Sequence, residues 1–194
     1  MRKSPFVSPL VAALIIAALQ TAFLGYMVES RASILRNGSD VLLKTAPVDP
    51  RDFLRGDYVI LSYDVSTIPV GVVTGGYPAE TGPVKLAVRL EKQADGFWGV
   101  TEASFADLPA RDGSVILKTA EFTFYPVATG DPQQVLNVQY GIERYYVPEG
   151  EGRVLEDARN QNALSVAARV SAAGQAQIRQ ISIDGKPIYE EPLY

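Results

Sequence analysis

Six carboxylates stand in two short stretches of this sequence: Asp49, Asp52 and Asp57 in the first, Glu143, Glu149 and Glu151 in the second. A pair of carboxylates flanking a scissile bond is the machinery of glycoside hydrolysis, one group acting as acid and the other as nucleophile or base. Sequence gives no distance between them, and 22 of the 194 residues are Asp or Glu, so such a set is not by itself evidence of a site. A Ser-Lys dyad is the second available chemistry, because a desolvated lysine serves as a base without any histidine. Ser30, Ser33 and Ser39 follow an apolar N-terminal run, while Lys44 and Lys118 fall on strand-like runs where a solvated face is the default. Asn37-Gly38-Ser39-Asp40 and Glu149-Gly150-Glu151 carry oxygen ligands of the kind calcium takes, without the spacing of a calcium loop. Gly75-Gly76 is not followed by the Lys and Ser or Thr of a phosphate loop. No metal or cofactor is expected.

Composition narrows the choice further. The chain has no Cys and no His. That excludes disulfides, thiolate nucleophiles, Cys-ligated metals, Ser-His-Asp triads and a near-neutral imidazole base. Eighteen basic against 22 acidic side chains leave a net charge of −4, a poor basis for binding nucleic acid.

The elements that must position these residues begin with the apolar run. No charge occurs from Ser4 to Val28, and residues 6–28 are mostly Ala, Leu, Ile, Val and Phe. Such a run, at about 1.5 Å per residue, crosses a hydrocarbon core of roughly 30 Å. Pro9 falls early in the helix, where its missing N–H does little harm, and Phe6 and Tyr26 sit near the two ends. A cleaved signal peptide is the alternative. Its apolar region is shorter, about 7–15 residues, and ends at small residues that this run lacks. The chain up to residue 36 carries four basic groups against one acidic, the remainder 14 against 21. Arg2 and Lys3 precede the span, which favours a cytoplasmic N-terminus and a translocated C-terminal domain. The expected organisation is a stub, anchor and short linker over residues 1–39, then one β-rich domain over 40–194.

Runs of strand composition recur over that second part, bounded by Gly, Pro and Asp. They cover Asp40–Pro47, Tyr58–Ile68, Val84–Lys92, Phe97–Phe105, Val115–Tyr125, Val135–Val147, Leu164–Ser171 and Gln175–Asp184. Val84, Leu86, Val88 and Leu90 share one strand face, with Lys85 and Arg89 on the other. Asp95-Gly96 reads as a type I′ hairpin turn, with both central residues at positive φ, and Ala173-Gly174 reads the same way. Asp184-Gly185-Lys186-Pro187 makes a turn before Ile188-Tyr189. Thr74–Pro83 reads as a long surface loop. Helix is expected only as one turn near Pro50–Leu54 and a short stretch near Val154–Gln161. The fold class is all-β: an antiparallel barrel or sandwich behind an N-terminal transmembrane helix.

Two segments stand out. In the first, Asp49 is placed to cap a helical turn opened by Pro50, Asp52 sits at its positive end, and Gly56 ends it. A strand follows, putting Val59, Leu61, Tyr63 and Val65 on one face and Tyr58, Ile60 and Ser62 on the other. The second runs from Tyr140 through Glu143, Arg144, Tyr145, Tyr146 and Glu149. It reads either as an exposed strand bearing a Glu–Arg pair, worth little, or as a polar and aromatic surface that contacts a partner, Tyr and Arg being enriched at binding hot spots.

Gly56-Asp57-Tyr58-Val59-Ile60-Leu61-Ser62-Tyr63 matches the motif G-D-Y-x-x-L-x-Y residue for residue. Together with Asp49-Pro50-Arg51-Asp52, the 140–150 segment and the N-terminal anchor, it resembles the GDYXXLXY family of bacterial membrane-anchored proteins. That resemblance implies membrane anchoring and a role beside other membrane proteins; it carries no catalytic residues. Arg55-Gly56-Asp57-Tyr58-Val59-Ile60-Leu61 also loosely resembles a box of membrane-anchored Ser-Lys signal peptidases. The Ser-Met pair such enzymes need after the anchor is absent.

The expectation is a non-enzymatic, single-pass protein of the bacterial inner membrane. Its translocated domain would serve as an accessory or interaction subunit for a membrane partner. The residues expected to matter are Asp49, Arg51, Asp52, Gly56, Asp57, Tyr58, Leu61, Tyr63, Glu143, Arg144, Tyr145 and Glu149. The alternatives are an envelope module binding a small ligand or cell-wall component, and a Ser-Lys peptidase.

Overall fold

The computed structural model describes residues 8–47, 58–126, 134–148 and 150–192. Helix α1 runs over Pro9–Asn37. Strands follow at β1 (Ser39–Ala46), β2 (Tyr58–Ile60), β3 (Ser62–Tyr63), β4 (Thr67–Pro69), β5 (Val73–Thr74), β6 (Gly82–Val84), β7 (Ala87–Lys92) and β8 (Trp98–Ser104). Then come β9 (Ser114–Lys118), β10 (Phe122–Phe124), β11 (Val135–Asn137), β12 (Arg144–Tyr146), helix α2 (Gly152–Asn160), β13 (Leu164–Val170), β14 (Ala176–Ile183) and β15 (Lys186–Glu190).

Five strands form one sheet in the order β15-β14-β13-β1-β3, and four form a second in the order β5-β8-β7-β9. Apolar faces of both meet in one core. Val41, Leu43, Val166, Ala168 and Ile181 come from the first sheet, Leu86, Val88, Leu90 and Leu117 from the second or its margin. Three ribbons of two strands each, β2–β12, β4–β11 and β6–β10, complete the structure. Pairing is antiparallel except between β5 and β8. The result is a sandwich-like all-β domain, with no closed barrel among the described residues.

The ribbons arise where runs that read as one strand change partners. Residues 58–68 divide into β2, β3, a 3-10 turn at Asp64–Ser66 and β4. Residues 115–125 divide at Thr119, whose hydroxyl accepts from the Leu86 amide at 2.9 Å while its own amide donates to the Leu86 carbonyl. Residues 135–147 divide between β11 and β12. A composition signal cannot see such corners, because each piece keeps its alternating pattern.

Three local expectations are corrected. Arg89 is not on a solvated face: it is fully buried, donating to Glu102 Oε2 and Ser114 Oγ at 2.9 Å each and to the Pro109 carbonyl at 2.8 Å. Asp95-Gly96 and Ala173-Gly174 are not type I′ turns, since only the glycines have positive φ. Both are longer hairpin turns, closed by Gln93 N to Phe97 O and by Ser171 N to Gln175 O. Between β14 and β15, Asp184-Gly185 does have positive φ at both positions, 48° and 73°. The 74–83 loop is anchored at Tyr77, whose ring packs on Phe105 and Phe124 and whose hydroxyl donates to the Val70 carbonyl.

The 29 residues of α1 span about 43 Å at 1.5 Å each. Ser8 caps its start and Pro9 opens it. Its apolar span is unburied, long and apolar enough to cross a membrane. The polar stretch after Val28 stays helical to Asn37, and Ala32, Ile34 and Leu35 are buried where the helix end packs on β13 and β14. Helix therefore passes into sheet through the single residue Gly38, whose amide donates to the Ile34 carbonyl at 2.8 Å.

Candidate functional site

Six of the residues expected to matter lie outside the described residues: Asp49, Arg51, Asp52, Gly56, Asp57 and Glu149, as does the turn expected near Pro50–Leu54. The other six meet. Strand β2 pairs antiparallel with β12, setting Tyr58 opposite Tyr146, Val59 opposite Tyr145 and Ile60 opposite Arg144. The two segments that stand out in the sequence are thus the two strands of one ribbon.

The period of two decides the roles. Val59, Leu61, Tyr63, Val65 and Tyr145 point into the core and are buried. On the other face, Arg144 is exposed and Tyr146 is 71% exposed, with Tyr58 and Ile60 half-buried. The Arg144 guanidinium lies 5.6 Å from the centre of the Tyr58 ring, a cation–π distance. Tyr58 and Tyr146 tilt against each other with ring centres 5.9 Å apart. Arg144 is therefore engaged with an aromatic ring.

Glu143 has a different partner from the one the Glu–Arg reading gives it. Its carboxylate accepts from the Tyr140 amide at 2.5 Å and the Gly141 amide at 2.9 Å, closing a turn at Gly141, which has φ +83°. Around that turn the Tyr63 hydroxyl donates to the Ile142 carbonyl and the Tyr140 hydroxyl to the Val65 carbonyl, each at 2.6 Å. The Leu61 amide donates to the Glu143 carbonyl at 2.8 Å. Burial first, and Glu143 second, push the Tyr63 and Tyr140 hydroxyls well above the usual tyrosine range. Tyr145 is pushed up to about 12 by burial, then by the charge of Glu191 and a hydrogen bond to it.

Sequence reasoning missed Arg159 of α2. It is 3% exposed and donates to the Ile60 carbonyl at 2.5 Å and to Asn160 Oδ1. An arginine in a short polar helix carries no sequence signal for this role. It also missed a cleft of about 850 Å³ on the Ile60–Ser62 side of the motif strand, whose other walls include Ser66, Phe122, Asn137, Val138 and Glu143. Ser66, Phe122, Asn137 and Val138 belong to no motif, and they meet Glu143 and the motif strand only where separate runs of the chain bend together.

The other candidate chemistries have ordinary partners. Lys44 stands 4.0 Å from Asp64, and Lys118 Nζ bonds Asp107 at 2.8 Å. The Ser30 and Ser33 hydroxyls donate to helix carbonyls. Asp40 is taken up by Arg169 and Arg179.

The arrangement defines a class: an all-β domain led by a long apolar helix, with a buried motif strand and an aromatic outer face. The family model described as GDYXXLXY protein matches residues 20–181, and the chain belongs to that family. No curated protein and no solved structure matches it.

Proposed function

We propose that this chain is a single-pass protein of the bacterial inner membrane whose all-β domain, on the outer side, acts as an accessory subunit for a membrane partner. The observation that carries this reading is the outer face of the β2–β12 ribbon. Half of the motif strand is used up in the core, while Tyr58, Arg144 and Tyr146 are held together at the surface. An exposed tyrosine, a half-buried one and an arginine at fixed spacing are of the residue types that dominate binding energy. The length and unburied apolar surface of α1 support a membrane position.

The test is crosslinking in the membrane followed by capture. The intact chain is compared with one whose α1 is replaced by an unrelated span, and with Arg144→Ala and Tyr146→Ala. A membrane protein captured by the intact chain and lost in a variant that still folds supports the reading. Empty capture from the intact chain rejects it.

The 850 Å³ cleft favours a second reading, an envelope module for a small ligand or cell-wall component, because its size suits one. A ligand that binds only the folded state raises the melting temperature. No shift across a panel of envelope ligands rejects that reading.

A further inference from the structure

The cleft beside the motif strand has two features that bear on what fills it. The first is its edges. Residues from β2, β3, β4, β10 and β11 border it, and among the described residues β2, β3, β4, β10 and β11 each pair with one neighbour. At the cleft's margins the Leu61, Ala120 and Val138 amides already donate to the Glu143, Gln139 and Ser66 carbonyls, so it is the remaining outward backbone groups of these strands that an extended chain can complete. The second is its charge. Among the described residues, Glu121 and Glu143 are the charged side chains in its lining, with no Lys or Arg beside them. Neither carboxylate has a cation partner among the described residues. Arg144 stands across from Ile60 but is held over the Tyr58 ring. Between the carboxylates the wall is mixed: Ile60 and Phe122 are apolar and half-buried, and Ser66, 8% exposed, has a hydroxyl with no hydrogen-bond partner among the described residues. A buried hydroxyl without a partner costs free energy until something satisfies it.

We propose that this cleft receives an extended segment of the partner protein that carries a lysine or arginine, its backbone pairing with an open strand edge and its cation facing Glu121 and Glu143. The inference rests on the accessory reading above and names how the partner is held. Anionic ligands are disfavoured by the two carboxylates, of which Glu143 is held by backbone amides rather than by a cation, and the apolar wall gives an alkyl stem somewhere to lie.

The test uses the full chain in nanodiscs, titrated with defined probes and followed by amide chemical shifts. The probes are a capped peptide Thr-Val-Thr-Lys-Val-Thr-Val, the same peptide with Glu replacing Lys, spermidine and chitotriose. The lysine peptide is expected to bind saturably, to move the Ser62, Thr67 and Asn137 amides, and to bind about tenfold more tightly than the glutamate peptide. Glu121→Gln, at an exposed position, should remove most of that preference without changing the melting temperature. Equal binding of the two peptides overturns the proposal, as does spermidine matching the lysine peptide, binding by chitotriose alone, or no saturable binding by any probe. The capture experiment separates this failure from failure of the accessory reading. A partner still captured in full by Glu121→Gln leaves the accessory role standing and removes the cleft from it.

Discussion

The Tyr63 hydroxyl donates to the Ile142 carbonyl at 2.6 Å across 79 residues of chain. It ties the last position of the motif to the turn that Glu143 closes, and Tyr140 repeats the tie in the opposite sense, through Val65. Motif and second segment therefore stabilise each other, and the tyrosine at the motif's end is a core residue with one polar duty. Tyr63→Phe should leave the buried Ile142 carbonyl unpaired and cost about 1–3 kcal/mol. Leu61→Ala should cost about 2–5 kcal/mol, since Leu61 is 1% exposed. Ser62→Ala, on the cleft side, should be nearly silent. Chemical unfolding of the three variants decides it; equal effects from Leu61→Ala and Ser62→Ala would mean the face assignment is wrong.

The same tyrosines give the fold an alkaline limit. Tyr63, Tyr140 and Tyr145 hold their protons above the ordinary value near 10, in each case chiefly because burial penalises the phenolate. The unfolded chain releases those protons near pH 10 and the folded chain does not. Stability is therefore complete below pH 10 and falls as pH rises, for Tyr145 between 10 and about 12. Tyrosinate absorbance and near-ultraviolet dichroism followed together should show part of the titration of the ten tyrosines arriving with loss of structure. Complete titration with the fold intact would contradict it.

The division between what the sequence tells and what it withholds follows the range of each signal. Period-two alternation is local, and it places Val59, Leu61, Tyr63 and Val65 inside. It cannot tell that Arg89, alternating outward like Lys85, lies beneath the 105–113 connection and finds Glu102, Ser114 and a carbonyl there. Turn chemistry is local too, yet Asp-Gly at 95–96 and at 184–185 gives two turn types, because the register of the flanking strands chooses between them. The cleft was the least legible, since Ser66, Phe122 and Asn137 come together only when three runs bend at sandwich corners.

Gly38 is a spatial requirement of the helix–sheet junction. Its φ of −69° is open to any residue. A Cβ there would lie 2.6 Å from the Ile34 carbonyl oxygen and 3.0 Å from both the nitrogen and oxygen of Val170, all backbone atoms. Gly38→Ala must push helix and sheet apart, at about 1–3 kcal/mol. Gly25→Ala, with nothing within 4 Å, is the matched control and should leave the domain's melting temperature unchanged. A silent Gly38→Ala would mean that α1 ends on a loose joint.

A tight joint has a consequence for topology. If α1 spans the membrane, the domain follows it on the side of Asn37, and the two basic residues before the span favour keeping the N-terminus in the cytoplasm. The chain has no cysteine, so a single introduced thiol reports its own location. In intact bacteria with a permeable outer layer, a membrane-impermeant maleimide should label Ala172→Cys, in the exposed hairpin between β13 and β14, and should leave Ser4→Cys unlabelled until the inner membrane is opened. Labelling of Ser4→Cys alone would reverse the orientation and put the β2–β12 face and the cleft in the cytoplasm. Release of the domain from the membrane fraction in a shortened form would identify α1 as a cleaved signal instead.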